Sequence, residues 1–267
     1  MNWKGKVCVI TGASSGFGES VARELASRGA RIIAVARREE KLREIIDDVG
    51  GAPHSYIKAD ISDLAQVRAM ATRLAQLTDH VDVLINNAGV GTSGPLAQAT
   101  SEELEGVIRT NLLGAIWCTK ESLALIEKAP RERRTPIVVN VASMAGRIAL
   151  PGSADYAASK FGLVGFTESI WYELSAKGIR TMMVNPGLAD TEGFPMDAIR
   201  AKPLLGWSVM DASRVAGALV RGIEQGSFEV RVQWWMNPIY YLVLVMGPLR
   251  RTVVGALRRS VGNVGKF

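Results

Sequence analysis

Tyr156 and Lys160 stand four residues apart in Tyr156-Ala157-Ala158-Ser159-Lys160, and Ser143 lies thirteen residues upstream. On a helix, positions i and i+4 share one face, so the ammonium can reach toward the phenol oxygen. A free tyrosine titrates near ~10 and moves protons poorly at neutral pH. A neighbouring cation favours the phenolate and draws that value down, toward the range where acid–base catalysis is efficient. Ser143 adds a neutral hydroxyl that can hold a substrate oxygen beside the phenol. These groups suit proton transfer to or from a carbonyl or alcohol oxygen. They lack the base and orienting partner that a nucleophile needs. Taken alone, a Tyr-x-x-x-Lys pair is more commonly an amphipathic side chain beside a solvated charge. The elements that position it must decide.

The N-terminal end supplies them. Lys6-Val7-Cys8-Val9-Ile10 is a short apolar, β-branched run that suits a buried parallel strand. Thr11-Gly12-Ala13-Ser14-Ser15-Gly16-Phe17-Gly18 follows at once, and Val21, Ala22, Leu25 and Ala26 then mark one face of a helix. Strand, glycine turn and helix together offer backbone N–H groups and a positive helix end to a pyrophosphate. Gly12 suits the tight turn, Gly16 close phosphate approach, and Gly18 helix–strand packing. The spacing is G-x-x-x-G-x-G, not the G-x-G-x-x-G of the usual dinucleotide fingerprint. The second strand, Arg31 to Ala36, ends in Arg37-Arg38. Ala36 stands where an acid for a ribose 2′-hydroxyl is expected, Arg37 follows it, and an arginine fork fits a 2′-phosphate. NADP is therefore predicted over NAD, although Arg37 and Arg38 also read as the opening of the polar helix Glu39-Glu40-Lys41.

With both ends in view, the chain resembles the short-chain dehydrogenase/reductase family from about Lys6 to Val230. The pieces carrying the resemblance are Thr11-Gly12-x-x-x-Gly16-x-Gly18, Asp60, Asn86-Asn87-Ala88-Gly89, Asn111, Ser143, Tyr156 with Lys160, and Pro186-Gly187 with Thr191. Each is common alone, and Asn86, Asn87 and Asn111 singly read as turn or helix residues. In this order and spacing the set is specific. The resemblance implies that Ser14, Ser15 and Phe17 share the loop with the glycines, and that Asp60 and Ile61 meet the adenine. It implies that Asn87, Ala88 and Gly89 line the cofactor, that Asn111 ties a water chain to Lys160, and that Thr191 and the Pro186-Gly187-Leu188 backbone hold the nicotinamide carboxamide. Tyr156 would protonate the reacting oxygen, Ser143 would bond it, and Lys160 would hold the ribose and keep the phenol acidic. A non-catalytic dinucleotide sensor, or an epimerase or dehydratase on the same fold, stays open.

At 267 residues, 48% hydrophobic and 22% charged, the chain can form one ordered α/β domain. Alternating strands and helices predict a Rossmann-type doubly wound parallel sheet, with ligands at the carboxyl ends of its strands. Later strands are predicted over Pro136 to Val141 and Ile179 to Val184, and helices over Glu102 to Lys128, Ala154 to Lys177 and Ala212 to Gln225. Cys8, Cys118, His54 and His80 form no disulfide framework and no zinc pattern, so no metal is expected. The arginines of Pro130 to Pro136 read as a solvated loop, not a nucleic-acid surface. The short lead into the first strand leaves no room for a signal peptide and predicts a cytoplasmic protein. The family commonly pairs the helices carrying Asn111 and Tyr156, which implies a homodimer or homotetramer.

Two segments govern the substrate. Ala189 to Met210 reads as a flap whose Phe194, Leu204, Leu205 and Trp207 hint at an apolar ketone or secondary alcohol. A catalytic domain over 1–232 is then followed by an extension over 233–267. Val232 to Leu249 carries no charge but four aromatic residues, and its apolar block is too short to span a bilayer. Arg250, Arg251, Arg258, Arg259 and Lys266 follow; without these five the formal charge would fall from +6 to +1. Aromatic residues beside a basic amphipathic segment suit the inner face of an anionic membrane. The competing reading packs this extension on a partner subunit or over the pocket.

Overall fold

The computed structural model describes residues 1–91, 94–132, 135–149, 152–190 and 208–233, together with 235, 237, 238, 241 and 245. Thr191, the rest of the predicted flap to Trp207, and the basic end of the extension lie outside the described residues.

Seven parallel strands form the main sheet: β1 (Val7–Thr11), β2 (Arg31–Ala36), β3 (Ser55–Lys58), β4 (Val83–Asn86), β5 (Ile137–Val141), β6 (Arg180–Asn185) and, at one edge, β9 (Glu229–Arg231). Their order is β3-β2-β1-β4-β5-β6-β9. The chain winds outward from β1 to β3, then returns to place β4 beside β1 in the register Ile10↔Ile85. The carboxyl ends of β1 and β4 thus flank the topological switch, where such sheets bind ligands. A second pair, β7 (Ala189–Asp190) and β8 (Met210–Asp211), lies outside the main sheet.

Both faces of the sheet are covered, which is why its strands are apolar throughout instead of alternating. Cys8, Ile10, Ile32, Ala34, Val83 and Ile85 face α1 (Gly16–Ser27), α2 (Glu39–Asp48) and α7 (Ala212–Gln225), meeting Leu25, Leu42 and Leu219. Val7, Val9, Ile33, Val35 and Leu84 face the other way, onto Met70 and Leu74 of α3 (Leu64–Leu77) and Ile126 of α5 (Gly114–Glu127). Each fully buried Val, Leu, Ile or Met among them stabilises the fold by roughly 1.5–3 kcal/mol relative to exposure. Local signals set the helix starts. Asp63 accepts the Ala65 N–H at 2.8 Å to begin α3, and Thr100 with Glu103 closes a capping box on α4 (Ser101–Ile108). Gly226, at φ +83°, ends α7.

The helix predicted over Glu102 to Lys128 is not uniform. A five-residue π turn, Arg109–Leu113, separates α4 from α5 and contains Asn111. The other predicted elements match those observed to within two residues at their ends; α6 runs Ala154–Ser175 and the helix predicted over Ala212 to Gln225 matches at both ends.

Candidate active site

The glycine loop is built by exclusion. Gly12 has φ +65°, and a Cβ there would sit 2.6 Å from the Ala88 Cα, so no side chain fits on either count. A Cβ on Gly18 would run into the Gly12 carbonyl oxygen and lie 2.5 Å from Asn87 Nδ2. That closeness is used. Asn87 Nδ2 donates to the Thr11 carbonyl at 2.9 Å and to the Gly12 carbonyl at 3.3 Å. Thr11 Oγ1 in return accepts the N–H groups of Asn87 and Ala88 at 3.0 and 3.1 Å. The ends of β1 and β4 are thereby locked together. Thr11 was part of the motif, but its pinning role was not foreseen. Phe17, partly buried, packs against the core.

Ser15 precedes α1 yet does not cap it. Its hydroxyl accepts from Arg38 Nη2 at 2.7 Å, and Ser14 Oγ lies 3.2 Å from the same nitrogen. Arg38, not Arg37, therefore reaches the loop. Arg37 is 68% exposed, with Nη1 3.8 Å from Asp60 Oδ2. Asp60 Oδ1 accepts from the Ser62 N–H and hydroxyl at 2.9 and 2.7 Å. The Ile61 side chain enters the core, where Gly114 leaves room for it.

At the carboxyl ends of β4, β5 and β6 the remaining residues assemble. Tyr156 and Lys160 lie one turn apart on α6, with Lys160 Nζ 5.6 Å from the phenol ring centroid. Lys160 is buried, and its ammonium donates to the Val141 carbonyl at 2.9 Å. A Cβ on Gly89 would fall 3.5 Å from that nitrogen. Ser143 opens a short 3-10 turn, Met144–Gly146, and its Oγ accepts the Ala145 N–H at 3.1 Å. A Cβ on Gly146 would lie 2.8 Å from the Lys160 carbonyl oxygen, so this turn packs directly on α6. That contact brings Ser143 within hydrogen-bonding reach of the Tyr156 phenol.

Asn111 is buried in the π turn. Its Oδ1 accepts the Val90 N–H at 2.8 Å, and its Nδ2 donates to the Val90 carbonyl at 2.8 Å and to Ser159 Oγ at 3.1 Å. Ser159 Oγ donates to the Tyr156 carbonyl at 2.7 Å. Asn111 thus ties the loop after β4 to the first turn of α6. π turns concentrate at functional sites.

The electrostatics differ from the sequence expectation. Burial pushes the Tyr156 phenol above its ordinary value, while the Ser143 hydrogen bond pulls the other way. Lys160 does not draw it down here, because the ammonium is itself desolvated and aimed at Val141. Burial alone lowers Lys160 to about 8. After β6, the Pro186 carbonyl accepts the Met144 N–H at 2.9 Å, which fixes Ser143 against this segment. Gly187 and Leu188 are gripped by Gln233, a residue that sequence reading missed.

The model of the short chain dehydrogenase family matches residues 6–198. The chain belongs to that family. This short-chain dehydrogenase is 32% identical to the ketoacyl reductase HetN of Nostoc, over 97% of this chain and 90% of that protein. It is 32% identical to the 3-oxoacyl-[acyl-carrier-protein] reductase FabG of Escherichia coli, over 72% and 77% of the two chains. A crystal structure of a short-chain dehydrogenase/reductase from Burkholderia phymatum in complex with NAD superimposes with a TM-score of 0.79 at 24% identity, covering 100% and 99% of the chains. The family places the chain among oxidoreductases with a dinucleotide-binding fold. Among the described residues of this short-chain dehydrogenase, no helix is long and apolar enough to cross a membrane.

Proposed function

We propose that the protein is an NADP-dependent carbonyl reductase acting on a 3-oxoacyl or related apolar ketone, or on the corresponding secondary alcohol. The observation that carries this is the meeting of Ser143, Tyr156 and Lys160 on one strand edge, beside the glycine loop. The ketoacyl reductase relatives support the substrate class.

The residues fit a dinucleotide. Gly12 and Gly18 let the ends of β1 and β4 close against the start of α1, and the α1 N-terminus they leave at the sheet's carboxyl edge suits a pyrophosphate. A bound nicotinamide would supply the hydride. Tyr156 protonates the reacting oxygen, and Ser143 holds that oxygen beside the phenol. Lys160 is a desolvated cation one turn from the phenol; with a cofactor bound, its ammonium would hold a ribose hydroxyl and, turned from Val141 toward the phenol, would stabilise the phenolate left after proton transfer. Asn111 fixes the spacing between α6 and the loop after β4.

Arg38 carries the cofactor preference. Its guanidinium spans Ser14 and Ser15, no acid stands at Ala36, and Arg37 lies exposed alongside, loosely paired with Asp60. Steady-state turnover of NADPH and NADH with a panel of 3-oxoacyl thioesters and simple ketones tests both parts. Arg38→Ala is expected to weaken NADPH about 10–100-fold, the scale of a charged hydrogen bond, and NADH far less. Equal weakening of both would reduce Arg38 to a loop brace. Absence of carbonyl-dependent oxidation across the panel would remove the assigned function.

A further inference from the structure

Gln233 lies two residues beyond β9 and is 2% exposed. Its amide is engaged at both ends by another segment of main chain. Oε1 accepts the Gly187 N–H at 2.7 Å, and Nε2 donates to the Leu188 carbonyl at 2.9 Å. A Cβ on Gly187 would sit 2.9 Å from that Oε1. Gly187 has no left-handed φ, so close approach of the amide, not backbone freedom, is what calls for glycine.

Two more bonds leave the same three residues. The Pro186 carbonyl accepts the Met144 N–H, which fixes the Ser143 turn, and the Leu188 carbonyl also accepts the Met210 N–H at 3.0 Å, where β7 meets β8. One buried amide therefore stands at the junction of three pieces: the Ser143 turn, the segment after β6, and the small β7–β8 pair. Beside it, Arg231 Nη1 donates to Asn237 Oδ1 at 3.3 Å, and its guanidinium lies 4.9 Å from the Tyr241 ring centroid. Asn237 and Tyr241 of the extension thus meet Arg231, two residues before Gln233.

We propose that Gln233 is a positioning residue for the nicotinamide end of the cofactor. It fixes the Gly187–Leu188 peptide, which would hold the ring's carboxamide, and through the Pro186–Met144 bond it would set the placement of a bound ring relative to Ser143. The proposal rests on the carbonyl-reductase reading. The glutamine side chain acts as a one-residue strand, with one acceptor and one donor. Glutamate in its place keeps the shape and the acceptor but sets an oxygen against the Leu188 carbonyl.

The test uses the full-length enzyme carrying Gln233→Glu or, separately, Gly187→Ala, which crowds the same amide from the other side. Turnover with NADPH and a 3-oxoacyl thioester is measured beside calorimetric binding of 2′-phospho-ADP-ribose, a fragment lacking nicotinamide. In both variants kcat is expected to fall about 10–100-fold, the effect of a slight misplacement of the reacting groups, while fragment affinity and stoichiometry stay within about twofold. Parental kcat in both variants overturns the proposal. So does a loss of fragment sites in step with kcat, which is what a merely structural role would give. If Gln233→Glu does not fold, Gly187→Ala decides alone, since its backbone admits alanine. Full turnover in Tyr156→Phe would instead remove the underlying reading, whatever these two variants do.

Discussion

Tyr156→Phe is expected to bind NADPH as the parent enzyme does and to reduce carbonyls about a thousandfold more slowly. The substitution removes one oxygen from a side chain that is otherwise held by α6 and by the Met144–Gly146 turn. Ser143 loses its hydrogen-bond partner but keeps the Ala145 N–H, so the turn persists. Lys160 is turned to Val141. Stopped-flow oxidation of NADPH separates the two quantities, since fluorescence reports binding and absorbance reports transfer. Retained turnover in this variant would take proton delivery away from Tyr156, whereas a parent enzyme that binds NADPH but turns over no carbonyl would favour a protein that holds a dinucleotide for sensing or scaffolding.

Lys160→Met is expected to lose turnover and gain stability. Burial lowers Lys160 from 10.5 to about 8. Between those values the unfolded chain binds more protons than the native one, so native stability rises as pH climbs through that window. Below about pH 8 the whole cost is present, about 3 kcal/mol. Methionine removes it at pH 7 but leaves the Val141 carbonyl without its donor, which returns about 1 kcal/mol. The net expectation is a gain of about 2 kcal/mol at pH 7 that shrinks toward pH 10. Urea unfolding of parent and variant at both pH values measures it. A variant less stable at pH 7 would contradict the account of a desolvated, functionally retained ammonium.

Much of the fold was legible because its signals are local. The β-branched runs of β1, β2 and β5 have no polar alternation, which identifies strands covered on both faces. The helix predicted over Ala212 to Gln225 ends where observed because Gly226 stops it. The π turn at Arg109–Leu113 was not legible. It contains neither proline nor glycine, and the partners of Asn111, Val90 and Ser159, are 21 and 48 residues away. The gathering of Ser143, Tyr156 and Lys160 followed from motif order, whereas the direction of the Tyr156 shift did not. Spacing tells which groups are neighbours, but it does not tell how deeply they are buried. Orientation failed similarly at Arg37 and Arg38, where adjacent residues with the same side chain point to different partners. Gln233 gave no signal at all. A single glutamine in an apolar stretch becomes informative only when chain segments 45 residues apart are seen together.

Isotope transfer tests the central claim most directly. The enzyme would be given a 3-oxoacyl thioester and NADPH deuterated on one face of nicotinamide C4, and the alcohol product would be read by mass spectrometry. One of the two deuterated faces is expected to deliver a single deuterium to the carbinol carbon, and the other none, because a ring held beside Tyr156 and Ser143 presents one face only. Product lacking deuterium from both labelled forms would contradict direct transfer at this site.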